Sequence, residues 1–165
     1  MKKYLFVLLA VLMVFAFTAT SHAALVLQDV GADQILKSYF NKTQPSGGNN
    51  LTLKLYCTNV TPVDTHTAGS YTACTGGGYA DKTLTAGSWT VTVGNDPSDA
   101  VYAAQTYTFT GALTTNGTIY GYYVVDADGV LIWAELLGST FTPANSGDNV
   151  VITPKFQLSK GTPAP

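Results

Sequence analysis

IYGYYVVDADGVLIWAELL, residues 119–137, decides the fold of this chain, because it has the pattern of a β-hairpin. Two runs rich in tyrosine, valine, isoleucine and tryptophan flank Asp128-Gly129, a dipeptide that favours a two-residue type I′ turn. A turn there predicts four facing pairs along one row: Ala127 with Val130, Val125 with Ile132, Tyr123 with Ala134, and Gly121 with Leu136. This row, which continues with Ile119, is wholly apolar and is expected to lie against a core.

The opposite row of the predicted hairpin is also mostly apolar. It consists of Tyr120, Tyr122, Val124, Leu131, Trp133, Glu135 and Leu137. A hairpin that is apolar on both faces is expected in the middle of a sheet, with a cover on each side. We expect one cover to be a second sheet and the other to be a helix or a partner subunit.

Residues 29–40, DVGADQILKSYF, form the one helix that the sequence predicts. An apolar stripe runs along it, Asp29 and Asp33 lie near its start, and Lys37 lies towards its end, where the helix dipole favours a cation. The stripe is a candidate cover for the aromatic row of the hairpin. The polar residues 41–50 that follow indicate a linker.

Short strands are predicted over the remaining sequence. Residues 51–58, LTLKLYCT, alternate, with Leu51, Leu53 and Leu55 facing inward. Further strands are predicted at 71–73, 79–85, 88–93, 101–110 and 150–158, with a turn at 95–99 and an edge or bulge at Pro154. This spacing is typical of two-sheet folds. The predicted fold class is therefore all-β: an antiparallel two-sheet β-sandwich, jelly-roll-like, with one short N-terminal helix.

The first residues have the pattern of a secretory signal peptide. Lys2 and Lys3 precede the apolar run 4–17, and Ser21-His22-Ala23 offers small residues where signal peptidase reads them. The run is shorter than the roughly 20 residues that span a bilayer, which favours cleavage over a retained anchor. The sequence thus predicts a signal peptide (1–23), a β-sandwich domain (24–160) and a flexible tail (161–165). We expect the protein to be exported, whether periplasmic, secreted or on the cell surface.

Cys57 and Cys74 are the only 2 cysteines. In an oxidising compartment an isolated pair indicates a disulfide, whereas a metal or redox pair would favour closer spacing with histidine nearby. The chain has no arginine, and its formal net charge is −2. Without a basic cluster, nucleic-acid binding is not expected.

Few residues suggest reaction chemistry. Asp64 and His66 could supply two metal ligands, or His66 could serve a small hydrolase, but no third ligand and no nucleophile motif accompany them. Asp126 and Asp128 resemble part of a calcium loop, yet a turn accounts for Asp128-Gly129 without an ion. We predict no catalytic residues, no metal site, no cofactor and no enzymatic activity.

Aromatic residues are the feature most suited to binding. Tyr120, Tyr122 and Trp133 share the second row of the hairpin and could form an interaction face, either a sugar-stacking platform or a protein interface. The alternative is that the helix at 29–40 covers them.

Five segments together resemble small virion structural proteins of tailed bacteriophages, which are β-domains associated with tail or head fibres. The segments are VLQDVGADQILKSYF, LTLKLY, TGGGYADKTLT, VLIWAEL and FTPANSGDNVVITPKFQL. The resemblance implies a non-catalytic, self-assembling role, and it carries no functional residues with it. Virion proteins of this group do not ordinarily need export, so the leader is a departure from the pattern.

The expected function is that of a non-enzymatic structural or assembly protein, exported or part of a virion. Its expected partners are further copies of itself or other virion or surface proteins. The alternative is a secreted carbohydrate- or cell-surface-binding module with a glycan ligand. No membrane span is expected after signal cleavage.

Overall fold

The computed structural model describes residues 50–92 and 97–158, all of which belong to one compact unit. The predicted signal peptide (1–23), helix (29–40) and tail (161–165) lie outside the described residues. The described strands are β1 (Leu51–Tyr56), β2 (Lys82–Leu84), β3 (Thr90–Thr92), β4 (Ser98–Val101), β5 (Gln105–Thr108), β6 (Ile119–Val125), β7 (Leu131–Phe141), β8 (Asn149–Ile152) and β9 (Lys155–Leu158). Every pairing between them is antiparallel, which confirms the all-β antiparallel prediction.

A four-stranded sheet in the order β2-β1-β6-β7 carries the central hairpin. β1 alternates as predicted: Leu51, Leu53 and Leu55 are buried, and the intervening Thr52 and Lys54 are half-buried. Branched and aromatic side chains suit such a pleated surface. The expectation that the whole hairpin lies mid-sheet is correct for β6 and wrong for β7, because β7 is the last strand of this sheet.

The remaining strands form a three-stranded sheet, β3-β4-β9, and a two-stranded sheet, β5-β8. β4 runs on into β5 and β8 into β9, and the Tyr102 N–H donates to the Pro154 carbonyl across the gap at 2.9 Å. Proline has no N–H to give to a ladder, so the pairing breaks at Pro154, as predicted. The prediction of one strand at 101–110 is wrong, because Ser98–Val101 pairs with β9 before the break and Gln105–Thr108 pairs with β8 after it. Of the turn predicted at 95–99, Ser98 and Asp99 belong to β4, whereas residues 95 and 96 lie outside the described residues.

The hairpin register is confirmed over most of its length, but the predicted loop is wrong. Tyr123 faces Ala134 and Gly121 faces Leu136, whereas Val125 faces Leu131 rather than Ile132. The Gly129 N–H donates to the Asp126 carbonyl, the Asp126 N–H donates to the Val130 carbonyl, and of the loop residues only Gly129 has positive φ. This is a three-residue loop with a bulge, so the ladder slips by one residue next to the turn.

The two faces of the four-stranded sheet have different covers. The main core combines side chains of this sheet, among them Leu53, Tyr122 and Val124, with side chains of both other sheets. On the other face a second cluster holds Tyr56, Tyr71, Tyr123 and Val125, with Val60 and Ala68 packed against it. The row predicted to lie against the core, with Tyr123 and Val125, therefore meets the segment 57–74. In the described part of the chain, that segment provides the cover expected from a helix or a partner.

The predicted disulfide between Cys57 and Cys74 is present, with 5.2 Å between the Cα atoms. It closes the covering segment at its base, where the Cys74 N–H also donates to the Leu55 carbonyl. The strand predicted at 71–73 is reduced to a single bridge between Ala73 and Tyr56.

The glycine run that follows lies flat against another loop. Gly76, Gly77 and Gly78 all have positive φ, at 81°, 56° and 76°. A Cβ on Gly77 would lie 2.5 Å from the Gly111 carbonyl oxygen, so only glycine fits this close approach. The run ends at Tyr79, whose hydroxyl bonds to β1.

Among the described residues, no helix is long and apolar enough to cross a bilayer.

Candidate functional site

The structure does not bring the three predicted interaction residues into one face. Tyr122 is 5% exposed and belongs to the main core. Trp133 is half-buried and packs there against Trp89 and Phe156, with ring centroids 6.2 and 5.4 Å away. Tyr120 is half-buried against the second cluster, on the other side of the sheet. A shift in register between Ile119 and Gly121 separates Tyr120 from the row that the sequence predicts.

Glu135 accepts a hydrogen bond from a tyrosine of the main core. The Tyr122 hydroxyl donates to Glu135 Oε2 at 2.5 Å. Burial, reinforced by Glu135, holds the pKa of Tyr122 well above its usual value. Tyr122 is thus a neutral donor that fixes the carboxylate of Glu135 at the sheet edge.

β7 presents the longest edge in the described structure. It has 11 residues, LIWAELLGSTF, of which Glu135 is the only charged one, and it contains no proline. Among the described residues it pairs only with β6. Its Leu136 side chain is 47% exposed. Edge strands in native proteins normally carry lysine, proline or a cover, since an open row of backbone N–H and C=O groups recruits further strands.

A pocket of about 350 Å³ opens on one side of β7. Its residues are Pro62, Val63, Asp64, His66, Tyr71, Leu131, Ile132, Trp133 and Ala134. His66 Nδ1 lies 3.0 Å from the Tyr71 hydroxyl, and the two rings meet edge to face. Burial raises the pKa of Tyr71. The predicted Asp64 and His66 pair thus forms one wall of a recess whose other wall is β7.

A second pocket, of about 590 Å³, opens beside the same strand. It is lined by Trp133, Ala134, Glu135, Thr153, Lys155, Phe156 and Gln157. Lys155 Nζ is paired with Asp99 at 3.1 Å, and that pairing lowers the pKa of Asp99. Trp133 and Ala134 line both pockets. Tyr71 of the second cluster lines the first pocket and Phe156, packed on the main core, lines the second, so the two pockets lie on opposite faces of β7.

The remaining candidate residues, Asp126 and Asp128, form part of the hairpin turn. Asp126 Oδ1 accepts the N–H groups of Asp128 and Val130, at 3.0 and 2.9 Å, which is the role of a turn former. In residues 50–92 and 97–158, no three metal-ligating side chains come together. The site therefore combines the backbone edge of β7 with two recesses that are lined by both polar and apolar side chains.

Sequence reasoning could have found one part of this site and missed the rest. The predicted register already places Tyr122 opposite Glu135, so their hydrogen bond was within reach. The walls formed by residues 62–66 and by β9 depend on pairings between distant segments and leave no local signal.

Comparison with protein-family models, with curated proteins and with solved structures finds no match to this chain.

Proposed function

We propose that this protein is a non-enzymatic structural module that assembles with other protein chains through the edge of its four-stranded sheet. The single observation that carries the proposal is β7, which has one charge in 11 residues and pairs with one strand only among the described residues. Such an edge favours added strands because each new strand satisfies backbone groups that otherwise face water.

The finer fold that we propose is a two-layer sandwich. The main core supports it, because Leu53 and Val124 of the four-stranded sheet share one cluster with Ala100, Tyr107 and Ile152 of the other two sheets. Side chains from facing sheets meet in this way in sandwich folds. A rigid body of this kind, closed by a disulfide, suits a role in which shape matters more than motion.

We further propose that the chain is exported and that its assembly role is that of the phage virion proteins that it resembles. The Cys57–Cys74 disulfide supports an oxidising compartment. The resemblance supports the structural role.

The test is the mass of the purified chain 24–165 in sedimentation velocity across a wide range of concentrations. We expect oligomers whose fraction rises with concentration, and we expect the Leu136→Lys variant to dissociate them. Val151→Lys is the matched control, because Val151 is similarly exposed, at 53%, and lies on β8, which pairs with β5 and not with β7. A wild-type chain that stays monomeric throughout would contradict the proposal.

A second candidate function, glycan binding, is favoured by the pocket that Lys155 lines. An aromatic wall of Trp133 and Phe156 beside Glu135 and Gln157 combines stacking with polar groups, as sugar sites do. We expect Gln157→Ala and Lys155→Ala to weaken glycan binding without disturbing the core. A glycan array on which the wild type and these variants are equally silent would exclude this alternative.

A further inference from the structure

A phenol and an imidazole are hydrogen-bonded to each other in the smaller of the two pockets beside β7. The Tyr71 hydroxyl lies 3.0 Å from His66 Nδ1, and the two rings meet edge to face with their centroids 5.5 Å apart. Tyr71 is 5% exposed, and a buried hydroxyl donates its proton to an acceptor. In the described part of the chain, His66 Nδ1 is the one acceptor that this hydroxyl has, so we assign the proton to the phenol and the lone pair to the imidazole.

Tyr71 belongs to a group of three buried tyrosines in the second cluster. Its ring is stacked on that of Tyr123, with centroids 5.3 Å apart, and lies 4.9 Å from that of Tyr56. The Tyr56 hydroxyl donates to the Val60 carbonyl, which is too weak a base to take the proton away. Burial raises the pKa of Tyr56 to about 12 and also raises that of Tyr123, so neither phenol ionises near neutral pH. Among the hydrogen bonds of the described residues, only the one at Tyr71 joins a phenol of this group to a nitrogen base.

This pair has the geometry for the coupled loss of an electron and a proton. Removing an electron from a phenol makes its hydroxyl strongly acidic, and a base that already accepts its hydrogen bond takes the proton in the same step. A neutral imidazole is suited to this role because it binds a proton far more tightly than a carbonyl oxygen or water does. Asp64 lines the same pocket, and its carboxylate favours the imidazolium that would form.

The surroundings of the pair combine protection with access. Burial of Tyr71 separates its ring from bulk solvent, and exclusion of water prevents side reactions of a reactive intermediate. His66 is half-buried and lines a pocket that opens beside β7. An oxidant at the mouth of this pocket can therefore take an electron across its wall without contact with the phenol.

We propose that Tyr71 and His66 form a one-electron redox site. The ring of Tyr71 gives one electron to an oxidant, its O–H bond breaks, and an N–H bond forms at His66 Nδ1, which leaves a neutral tyrosyl radical beside an imidazolium. The oxidant is reduced by one electron, and its chemical class is that of peroxide-derived radicals. The inference is independent of the proposed assembly function, because neither residue lies on β7 and no second chain is needed.

The test is flash photolysis of the purified protein with photogenerated tris(bipyridine)ruthenium(III) as the oxidant. Optical absorption and electron paramagnetic resonance of frozen samples follow the tyrosyl radical. We expect a fast phase in the wild type that slows in heavy water, because a proton moves in the same step. His66→Gln keeps a hydrogen-bond acceptor but removes the base, and it should slow that phase about tenfold or more, since the charge-assisted hydrogen bond of the product is lost.

Two further variants assign the radical to this pair. Tyr71→Phe should abolish the fast phase. Tyr120→Phe is the matched control and should retain it, because Tyr120 is half-buried in the same cluster whereas the hydrogen bond of His66 Nδ1 goes to Tyr71. Added imidazole, which is small enough for the pocket, should restore the phase in His66→Ala. Far-ultraviolet circular dichroism verifies that the variants are folded.

The wild type alone can contradict the proposal. The absence of a fast phase, or a fast phase that is unchanged in heavy water, would overturn it even where a substitution at position 66 unfolds the chain. Equal rates in the wild type and His66→Gln would do the same, as would a fast phase that persists in Tyr71→Phe or disappears in Tyr120→Phe. None of these outcomes bears on the assembly function, which sedimentation velocity tests separately.

Discussion

The hydroxyl of Tyr79 accepts a hydrogen bond from the backbone N–H of Leu55 at 2.9 Å. β2 pairs with β1 only as far as Leu53, so this N–H lies just beyond the end of the ladder. Tyr107, stacked on Tyr79, donates from its hydroxyl to the Leu53 carbonyl at 3.0 Å. Beyond the end of β2, the two tyrosine hydroxyls thus make the hydrogen bonds to β1 that a neighbouring strand would otherwise make.

Replacing Tyr79 with phenylalanine tests this role. The change leaves the Leu55 N–H without its acceptor in a buried setting, and we expect a loss of about 1–3 kcal/mol in the free energy of unfolding. Urea denaturation followed by fluorescence measures it. Tyr102→Phe is the control: its hydroxyl accepts the Thr85 N–H where water can replace it, so its loss should be smaller. Equal losses in the two variants would contradict the role assigned to Tyr79.

Removing the Cys57–Cys74 disulfide should destabilise the protein. The cysteines are 17 residues apart, and a loop of that length corresponds to about 3 kcal/mol of unfolding free energy. Urea denaturation with and without reductant measures the difference. A Cys57→Ser/Cys74→Ser double variant should have the reduced stability under both conditions, and an undiminished stability of that variant would contradict the prediction.

Gly77→Ala should cost more than a glycine substitution at a free turn. Both Gly77 and Gly87 have positive φ, so an alanine at either position suffers backbone strain of about 1–2 kcal/mol. Only at Gly77 does the new Cβ also meet a backbone oxygen, that of Gly111, whereas the space at Gly87 is open. Thermal unfolding of the two variants should therefore give the lower melting temperature for Gly77→Ala. Equal melting temperatures would mean that the close approach is unimportant.

Acid should destabilise the turn at Asp148. Its carboxylate accepts the N–H groups of Ala144 and Asn145, at 2.7 and 2.8 Å, and these bonds lower its pKa below the usual 3.8. A lowered folded-state pKa gives stability that is present above the unfolded-state pKa, and that is lost as the pH falls through the folded-state pKa. Urea midpoints between about pH 6 and pH 2 should therefore fall more steeply for the wild type than for Asp148→Asn below about pH 4. Parallel curves would contradict this assignment.

Alternation predicted the strands better than turn chemistry predicted the loops. The parity of β6 and β7 is fixed by their apolar pattern, so Tyr123 was correctly paired with Ala134. The predicted loop was wrong because the Asp126 carboxylate accepts the N–H groups of Asp128 and Val130, and a rule based on the Asp-Gly dipeptide does not include these bonds. The break between β4 and β5 was missed because it is set by Pro154, in a strand that is distant in sequence.

Of the candidate site, only the aromatic residues could be predicted from the sequence. Tyr122 and Trp133 were recognised as belonging together, and they share the main core. Their burial depends on sheets whose pairing no local pattern records. The edge position of β7 was missed for the same reason, since sequence periodicity describes the faces of a strand and not its neighbours.

The order β2-β1-β6-β7 has a consequence for how the protein is made. β1 emerges early in synthesis, yet its longer pairing is with β6, which is translated only after most of the domain. Until then β1 lacks its β6 neighbour, and the apolar side chains of Leu51, Leu53 and Leu55 are exposed. The nascent chain therefore passes through an aggregation-prone stage. Pairing of such distant segments slows folding, and the yield should respond to holding chaperones and to translation speed.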